Sequence, residues 1–443
     1  MPTHYPELAE RVRSQREVQP DLYGDIDFDK QPYRTTTDPA DRSALPEWVA
    51  ERAPYLADER AVELIRTTTL LGDVVADPYA ALMSEYSVTA LIDMLQLACR
   101  KGIDAVADAP PELAAFIADM EAAPPWLDMD LVREGARHAR IPAALVAPFV
   151  TRGAFIATFV NTYAALPMAL TGALSGRRAA RRVNETTSFF AVTTLPGALD
   201  RYGPGFEAAA MVRLMHSMVR YNALKRSEKW DIDIYGLPIP QVDQMPAGMI
   251  NLYLLATAAH RKGRTEFSAS ERAVVEFTRY RAFLLGLPEE LLPTTPAEII
   301  HLIHTRGALL REDFDDATCG EMVRSTMAAY LRPVDTRWER MADAVEKSYS
   351  KAAFTKAFCN GDRAVAKDKG VSIGLADYLR IGVTAPFIIG RLLVVRRANR
   401  IPALRQITDD YLVRLVKRRL QTYGKPEFTS DANDYTPAGQ LAQ

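Results

Sequence analysis

The residues with the clearest chemical potential lie in the segment 212–220, which reads VRLMHSMVR. Its histidine, His216, follows Arg213 by three residues and precedes Arg220 by four, so a helix would place the three side chains near one face. A neutral imidazole on an apolar helix suits an axial ligand of haem iron, and arginines can neutralise propionates or nearby carboxylates. A neighbouring methionine such as Met215 packs adaptably against a flat macrocycle. An ordinary core histidine with a hydrogen-bond partner would explain the same pattern.

A second polar group lies upstream, in the segment 175–190, which reads SGRRAARRVNETTSFF. Three- and four-residue steps put these side chains on one helical face: Arg182, Glu185, Thr186, Phe189 and Phe190. A face with a cation, a carboxylate, a hydroxyl and aromatic rings suits the oxygen-binding side of a haem pocket. The alternative is a solvated helix in which Glu185 merely pairs with Arg181 or Arg182.

A third pattern could bind a metal directly. Glu298 and His301 form a Glu-x-x-His pair, and His304 follows three residues later. Such pairs occur in di-iron carboxylate bundles, but those sites use two of them, and the spacing of Glu134 and His138 is four residues instead of three. A non-haem metal oxygenase therefore remains an alternative, beside two histidines without a metal.

The elements that must position these groups are predicted to be helices. Apolar residues recur at three- and four-residue steps, strand alternation is scarce, and the fold class is therefore all-α. Helices are predicted at 59–72, 77–101, 110–121, 205–227, 245–262, 268–285, 296–309, 318–331, 337–360, 373–396 and 403–422. The three cysteines, Cys99, Cys319 and Cys359, lie far apart, which favours buried thiols over a disulfide framework or a zinc site.

The order of the motifs resembles the oxygenase family that contains latex-clearing protein and MpaB. An apolar run precedes the segment 175–190, then VRLMHSMVR, then WDIDIYGLPIPQVD at 230–243, and PPWLDMDLVREGA at 124–136 is also similar. The resemblance implies a globin-like helical core that binds haem b, with His216 as the proximal ligand and with Arg213 and Arg220 at the family's arginine positions. We expect Phe189 and Met215 to contact this cofactor. The family's chemistry is oxidative cleavage of isoprenoid double bonds by dioxygen.

The distal motif departs from that of latex-clearing protein. Its Arg-x-x-Lys-Thr pattern falls on Arg182, Glu185 and Thr186, so the lysine is absent, and the region around Leu166 is apolar where that enzyme has a glutamate. We therefore expect Arg182, Glu185 and Thr186 to be the catalytic residues of a haem b-dependent oxygenase. Its substrate would be a hydrophobic small molecule, an isoprenoid-like alkene or an aromatic. A non-enzymatic haem protein that senses a gas or carries haem is the other alternative.

The predicted organisation is one domain with extensions. An extended arm covers 1–45, the haem-binding core 46–345, a helical extension of the same domain 346–428, and a mobile tail 429–443. The first twenty residues lack the pattern of an export signal, so a cytoplasmic location is expected.

Charge and hydropathy limit the partners. The net charge of −2 argues against nucleic acid. The uncharged run 153–175 is long enough to span a bilayer, but its internal polar residues and Pro167 favour a kinked, buried helix pair. Basic segments at 396–400 and 417–419 are predicted to form a solvated face and leave peripheral membrane contact open.

Overall fold

The fold is all-α, as predicted. The computed structural model describes residues 4–170 and 177–423, and these residues contain no strand. Isolated β-bridges join Thr35 to Leu310 and Ser43 to Arg311.

The α-helices of these residues follow in chain order. The first seven are α1 (Pro6–Val18), α2 (Pro20–Tyr23), α3 (Ala53–Ala57), α4 (Glu59–Thr69), α5 (Ala76–Ala81), α6 (Val88–Lys101) and α7 (Pro111–Glu121). The next seven are α8 (Met129–Leu145), α9 (Ala147–Ala157), α10 (Thr162–Leu170), α11 (Arg177–Val192), α12 (Pro204–Arg226), α13 (Ile232–Tyr235) and α14 (Gln241–His260). The last are α15 (Ala269–Leu284), α16 (Pro296–Leu309), α17 (Glu321–Ala328), α18 (Arg337–Phe358), α19 (Arg363–Asp368), α20 (Leu375–Arg400) and α21 (Pro402–Tyr423).

The helices group into two compact units, each built from separate stretches of chain. Of the described residues, unit 1 contains those up to Gly135 and Leu199–Asp313, and unit 2 contains Ala136–Ala198 and 314–423. The predicted division of the chain at 45, 345 and 428 stays a prediction. The predicted tail 429–443 lies outside the described residues.

Most predicted helices are present, with two corrections. The N-terminal arm is not wholly extended, because residues 6–18 form α1, which buries Leu8, Ala9 and Val12. The predicted helix 77–101 is two helices. The second of them begins after Ser87, whose hydroxyl accepts a hydrogen bond from the Ala90 amide at 3.1 Å and so caps α6.

The apolar run forms parts of two helices instead of one. Residues 153–170 cover the end of α9 and all of α10, and Phe155, Ile156 and Ala165 are buried in the core of unit 2. This agrees with the predicted buried helix pair, while residues 171–175 lie outside the described ones. Among the described residues, α20 is a helix long and apolar enough to cross a membrane; α8 and α9 pass the same test only as a pair, bent by 98°.

Candidate functional site

The helix that carries His216 is α12 in unit 1. Pro204 in its first turn follows an extended Gly203. In its last turn, the positive charges of Lys225 and Arg226 interact favourably with the negative end of the helix dipole. Most of its length is buried, and His216 is half-buried.

A chain of side-chain amides orients the imidazole. His216 Nδ1 lies 3.0 Å from Gln244 Oε1, and Gln244 Nε2 donates to Gln241 Oε1 at 2.7 Å. Gln241 in turn donates its amide to the Gly72 carbonyl at 3.0 Å. Because each amide nitrogen is used as a donor, Gln244 presents an oxygen to the ring, so Nδ1 carries the proton. In the neutral ring, the lone pair is then on Nε2, as a metal-binding histidine requires.

The arginine before His216 pairs with two acids, of which Asp73 is buried and Asp119 is partly exposed. Arg213 donates to both oxygens of Asp73, at 2.5 and 2.9 Å, and to Asp119 at 2.6 Å. Burial lowers the pKa of Arg213 and raises that of Asp73, but the ion pair outweighs burial in both groups. The pKa of the arginine is therefore raised and that of the carboxyl is lowered.

The arginine after His216 also binds a carboxylate, together with two backbone carbonyls. Arg220 pairs with Asp77, and both side chains are inaccessible to solvent. The guanidinium also donates to the carbonyls of Pro238 at 3.0 Å and Ile239 at 2.6 Å. Arg213 and Arg220 thus contact carboxylates of their own chain, and these ion pairs hold α12 in position. Their predicted role in binding a cofactor stays a prediction.

Unit 1 has open space beside a buried glycine that is close to the amide chain in sequence. Gly248 lies one turn after Gln244 on α14 and is buried, yet a Cβ built on it meets no atom within 4 Å. The Gly248 carbonyl accepts a hydrogen bond from Arg281 at 3.3 Å, and burial lowers the pKa of this guanidinium to about 10. A carboxylate beside Arg281 would relieve that cost. These features fit haem, whose faces need space and whose propionates need cations.

The second predicted group lies on α11 in unit 2. Glu185 accepts from Arg181 at 2.8 Å and from Arg182 at 3.3 Å, which is the pairing that the alternative interpretation of this segment predicted. Phe189 is buried, and its ring meets that of Phe190 edge-on at a centroid distance of 5.3 Å. The remaining member, Thr186, is half-buried.

Sequence analysis missed two polar groups on α11. Asn184 Oδ1 and Ser188 Oγ are buried and four residues apart, and neither has a hydrogen-bond partner among the described residues. Such atoms are costly unless water or a ligand satisfies them. Their i, i+4 spacing is visible in the sequence, although an asparagine and a serine alone are a weak signal.

A cavity of about 490 Å³ lies within unit 2. Its wall includes Thr187 of α11 and apolar side chains from α9, α18, α20 and α21, whereas Arg182, Glu185 and Thr186 do not line it. Arg418 and Arg419 add positive charge to its border. The cavity can accommodate an apolar molecule with an anionic or polar end.

The residues of the alternative non-haem metal site contact other groups. Glu298 closes a capping box with Thr295, and His301 Nε2 contacts Asp58 at 2.8 Å. His304 lies between the hydroxyls of Tyr55 and Tyr253, each 2.9 Å from a ring nitrogen. Within residues 4–170 and 177–423, no group of three or more histidine, cysteine or acidic side chains could hold a metal ion. The three cysteines are buried thiols, as predicted.

Comparison with known proteins supports the resemblance. Residues 145–353, which include α11 and α12, match the family model described as "ER-bound oxygenase mpaB/B'/Rubber oxygenase, catalytic domain". The fold is similar to the "Structure of Latex Clearing Protein LCP in the closed state", with a TM-score of 0.55 and 18% identity over 79% of this chain and 91% of that one. No curated protein matches the chain.

Proposed function

We propose that this chain is a haem b-dependent oxygenase of a hydrophobic small molecule, because residues 145–353 match the catalytic-domain model of the mpaB and rubber-oxygenase family. The family is one of oxygenases, so dioxygen is a substrate. We further propose that the cofactor is haem b and that the second substrate is a hydrophobic small molecule. The substrate class that we favour is an isoprenoid-like alkene.

The observation that carries the proposal is the amide chain behind His216. Gln241 orients Gln244 so that its oxygen accepts from Nδ1, which leaves the lone pair of the neutral ring on Nε2, the nitrogen through which His216 would bind iron. His216 would hold haem through Nε2, Met215 and the space beside Gly248 would accommodate the macrocycle, and Arg281 would pair with a propionate. Haem would supply the iron that activates dioxygen.

The remaining predicted site residues would position the histidine, move a proton or exclude water. Arg213 and Arg220 anchor α12 through their ion pairs with Asp73 and Asp77, and so keep the imidazole in place. On α11, Glu185 is held by two arginines and can accept or return a proton at a carboxylate oxygen, while Arg182 and Thr186 orient polar groups. Phe189 and Phe190 would exclude water from an apolar substrate.

The test is a visible absorption spectrum of protein produced with haem, together with its His216→Ala variant. We expect a Soret band that is lost or shifted in this variant and unchanged in His260→Ala, a control at an exposed histidine of α14. Wild-type protein without a Soret band, or a band that His216→Ala leaves intact, would refute the haem assignment.

Turnover separates the oxygenase from a sensor or carrier. The reduced protein should consume dioxygen in proportion to added acyclic isoprenoid alkene, with carbonyl products detected by mass spectrometry. Reversible oxygen binding without product, across alkene and aromatic substrates, would instead indicate a gas sensor or haem carrier.

A further inference from the structure

The inner face of α20 is fixed to the body of unit 2. Asp377 accepts hydrogen bonds from Ser348 at 2.7 Å and Lys351 at 3.0 Å, both on α18. Further along, Thr384 lies 3.2 Å from the Tyr349 hydroxyl, and Val395 is buried against α21. Because these contacts recur along the helix, α20 lies against α18 and α21 over most of its length.

The outer face of α20 is apolar and exposed. Five large side chains on it recur mostly at four-residue steps and are between 61% and 77% exposed: Leu375, Leu379, Val383, Phe387 and Val394. Gly382 and Gly390 lie on the same face and have open space around them. Such a stripe is larger than the isolated apolar residues of an ordinary surface, and it requires an occupant.

The charge pattern selects that occupant. Between residues 378 and 408 there is no aspartate or glutamate, but there are six arginines: Arg380, Arg391, Arg396, Arg397, Arg400 and Arg405. Arg396, Arg397 and Arg400 are exposed at the C-terminal end of the helix. A second copy seated on this face would bring like charges together, whereas anionic phospholipid headgroups complement them.

We propose that the outer face of α20 docks on a membrane surface that contains anionic phospholipids, with the helix lying in the plane of the interface. At 1.5 Å per residue, the 26 residues of α20 are long enough to span a bilayer. Spanning would, however, break the contacts of Asp377 and Thr384 and place Arg380 and Arg391 in hydrocarbon. An in-plane helix keeps these contacts and buries only the apolar stripe.

The docked helix would also serve the cavity of unit 2. Thr384 and Ile388 of α20 line that cavity, and Phe387 of the outer stripe lies at its border, so a molecule dissolved in the bilayer would meet the cavity next to the docking face. The docking itself depends on neither haem nor turnover, so it can fail or hold independently of the proposed function.

The experiment is co-sedimentation of the full chain with vesicles of phosphatidylcholine alone or with phosphatidylserine added. We expect at least tenfold stronger binding to the anionic vesicles. The triple variant Leu379→Ser/Val383→Ser/Val394→Ser should lose at least tenfold in binding, and Arg396→Gln/Arg397→Gln/Arg400→Gln should lose the preference for phosphatidylserine. The control Leu254→Ser changes an exposed leucine of unit 1 and should bind like wild type.

A second measurement guards against misfolded variants. A dye attached to a Val383→Cys variant, selective because the native cysteines are buried, should shift its emission to the blue when anionic vesicles are added. Absence of binding and of this shift would overturn the proposal. Wild-type binding by the serine triple variant would also overturn it, as would resistance of bound protein to alkaline carbonate, which indicates spanning. A dimer that the serine variant converts to a monomer, without vesicle binding, would assign the face to a second copy.

Discussion

His216 Nδ1 and Gln244 Oε1 lie 3.0 Å apart, and this hydrogen bond joins the middle of α12 to the first turns of α14. The pair decides which nitrogen of the ring carries the proton, and therefore which one can bind a metal.

The first prediction concerns Gln244. Replacing it with leucine removes the acceptor for Nδ1, so the ring loses its fixed tautomer and haem affinity should fall by roughly 10- to 100-fold. Haem transfer to an apo-globin acceptor measures this loss, and Gln406→Leu, at an exposed position of α21, is the control. Gln244→Glu should retain haem and lower its reduction potential, because a carboxylate makes the imidazole a stronger donor. Equal haem retention in all variants would show that Gln244 does not support the ligand.

The helices could be predicted because their information is local. Apolar residues at three- and four-residue steps located α16 at its observed bounds, and the pairing of Glu185 with Arg181 and Arg182 was visible as i, i+3 and i, i+4 spacing. The partners of Arg213 and Arg220 were not predictable, since Asp73 and Asp77 lie 140 and 143 residues away in sequence.

The partner of His216 and the open space near it could not be predicted either, because both depend on tertiary contacts. Nothing local distinguishes Gln244 from a surface glutamine, and only tertiary packing reveals the space beside Gly248. The two interleaved units were also beyond reach, because each consists of stretches that are distant in sequence.

The second prediction concerns the buried pair of Arg220 and Asp77. Arg220→Met should lower the free energy of unfolding by about 3–5 kcal/mol, because it leaves an uncompensated buried carboxylate. The double variant Arg220→Met/Asp77→Leu should recover part of that loss. Urea denaturation of the four proteins in the cycle measures the coupling. Additive effects of the two substitutions would mean that the pair contributes no coupling.

The third prediction concerns pH and His304. Burial, and secondarily His301, lowers the pKa of His304 to about 4 from an ordinary value near 6.5. The unfolded chain therefore binds this proton more readily than the folded one between these values. The contribution to stability is complete above about pH 6.5 and is lost as the pH falls to about 4, and it amounts to about 3 kcal/mol.

Comparison with a residue that does not titrate isolates this effect. In His304→Gln, the hydrogen-bonding side chain remains but the titration is gone, so the decline in unfolding free energy between pH 6.5 and 4.5 should be shallower than in wild type. Urea denaturation at three pH values tests this, and parallel curves for the two proteins would contradict it.

The fourth prediction concerns Glu185. Glu185→Gln keeps the size of the side chain but removes its capacity to accept a proton, so the rate of alkene turnover should fall by about 10²- to 10⁴-fold while the Soret band is retained. Glu228→Gln, at an exposed glutamate, controls for the change of charge. Unchanged turnover in Glu185→Gln would show that Glu185 forms ion pairs with Arg181 and Arg182 but takes no part in catalysis.

The fifth prediction contrasts two helical glycines. A Cβ on Gly153 of α9 would meet the Ser350 carbonyl oxygen at 2.6 Å and the Phe354 Cβ at 3.3 Å, whereas a Cβ on Gly248 would meet nothing within 4 Å. Gly153→Ala should therefore destabilise the protein by about 1–3 kcal/mol. Gly248→Ala should be neutral or stabilise it by up to about 1 kcal/mol, because alanine favours the helix.

Larger side chains at Gly248 separate stability from cofactor binding. If haem occupies the space beside this glycine, Gly248→Leu should fold normally, as judged by urea denaturation without haem, yet take up several-fold less haem than Gly248→Ala. Full haem uptake by a folded Gly248→Leu variant would show that the space beside Gly248 is not used by the cofactor. The His216 ligand would then have to hold haem against another part of unit 1, and the pairing of Arg281 with a propionate would lose its support.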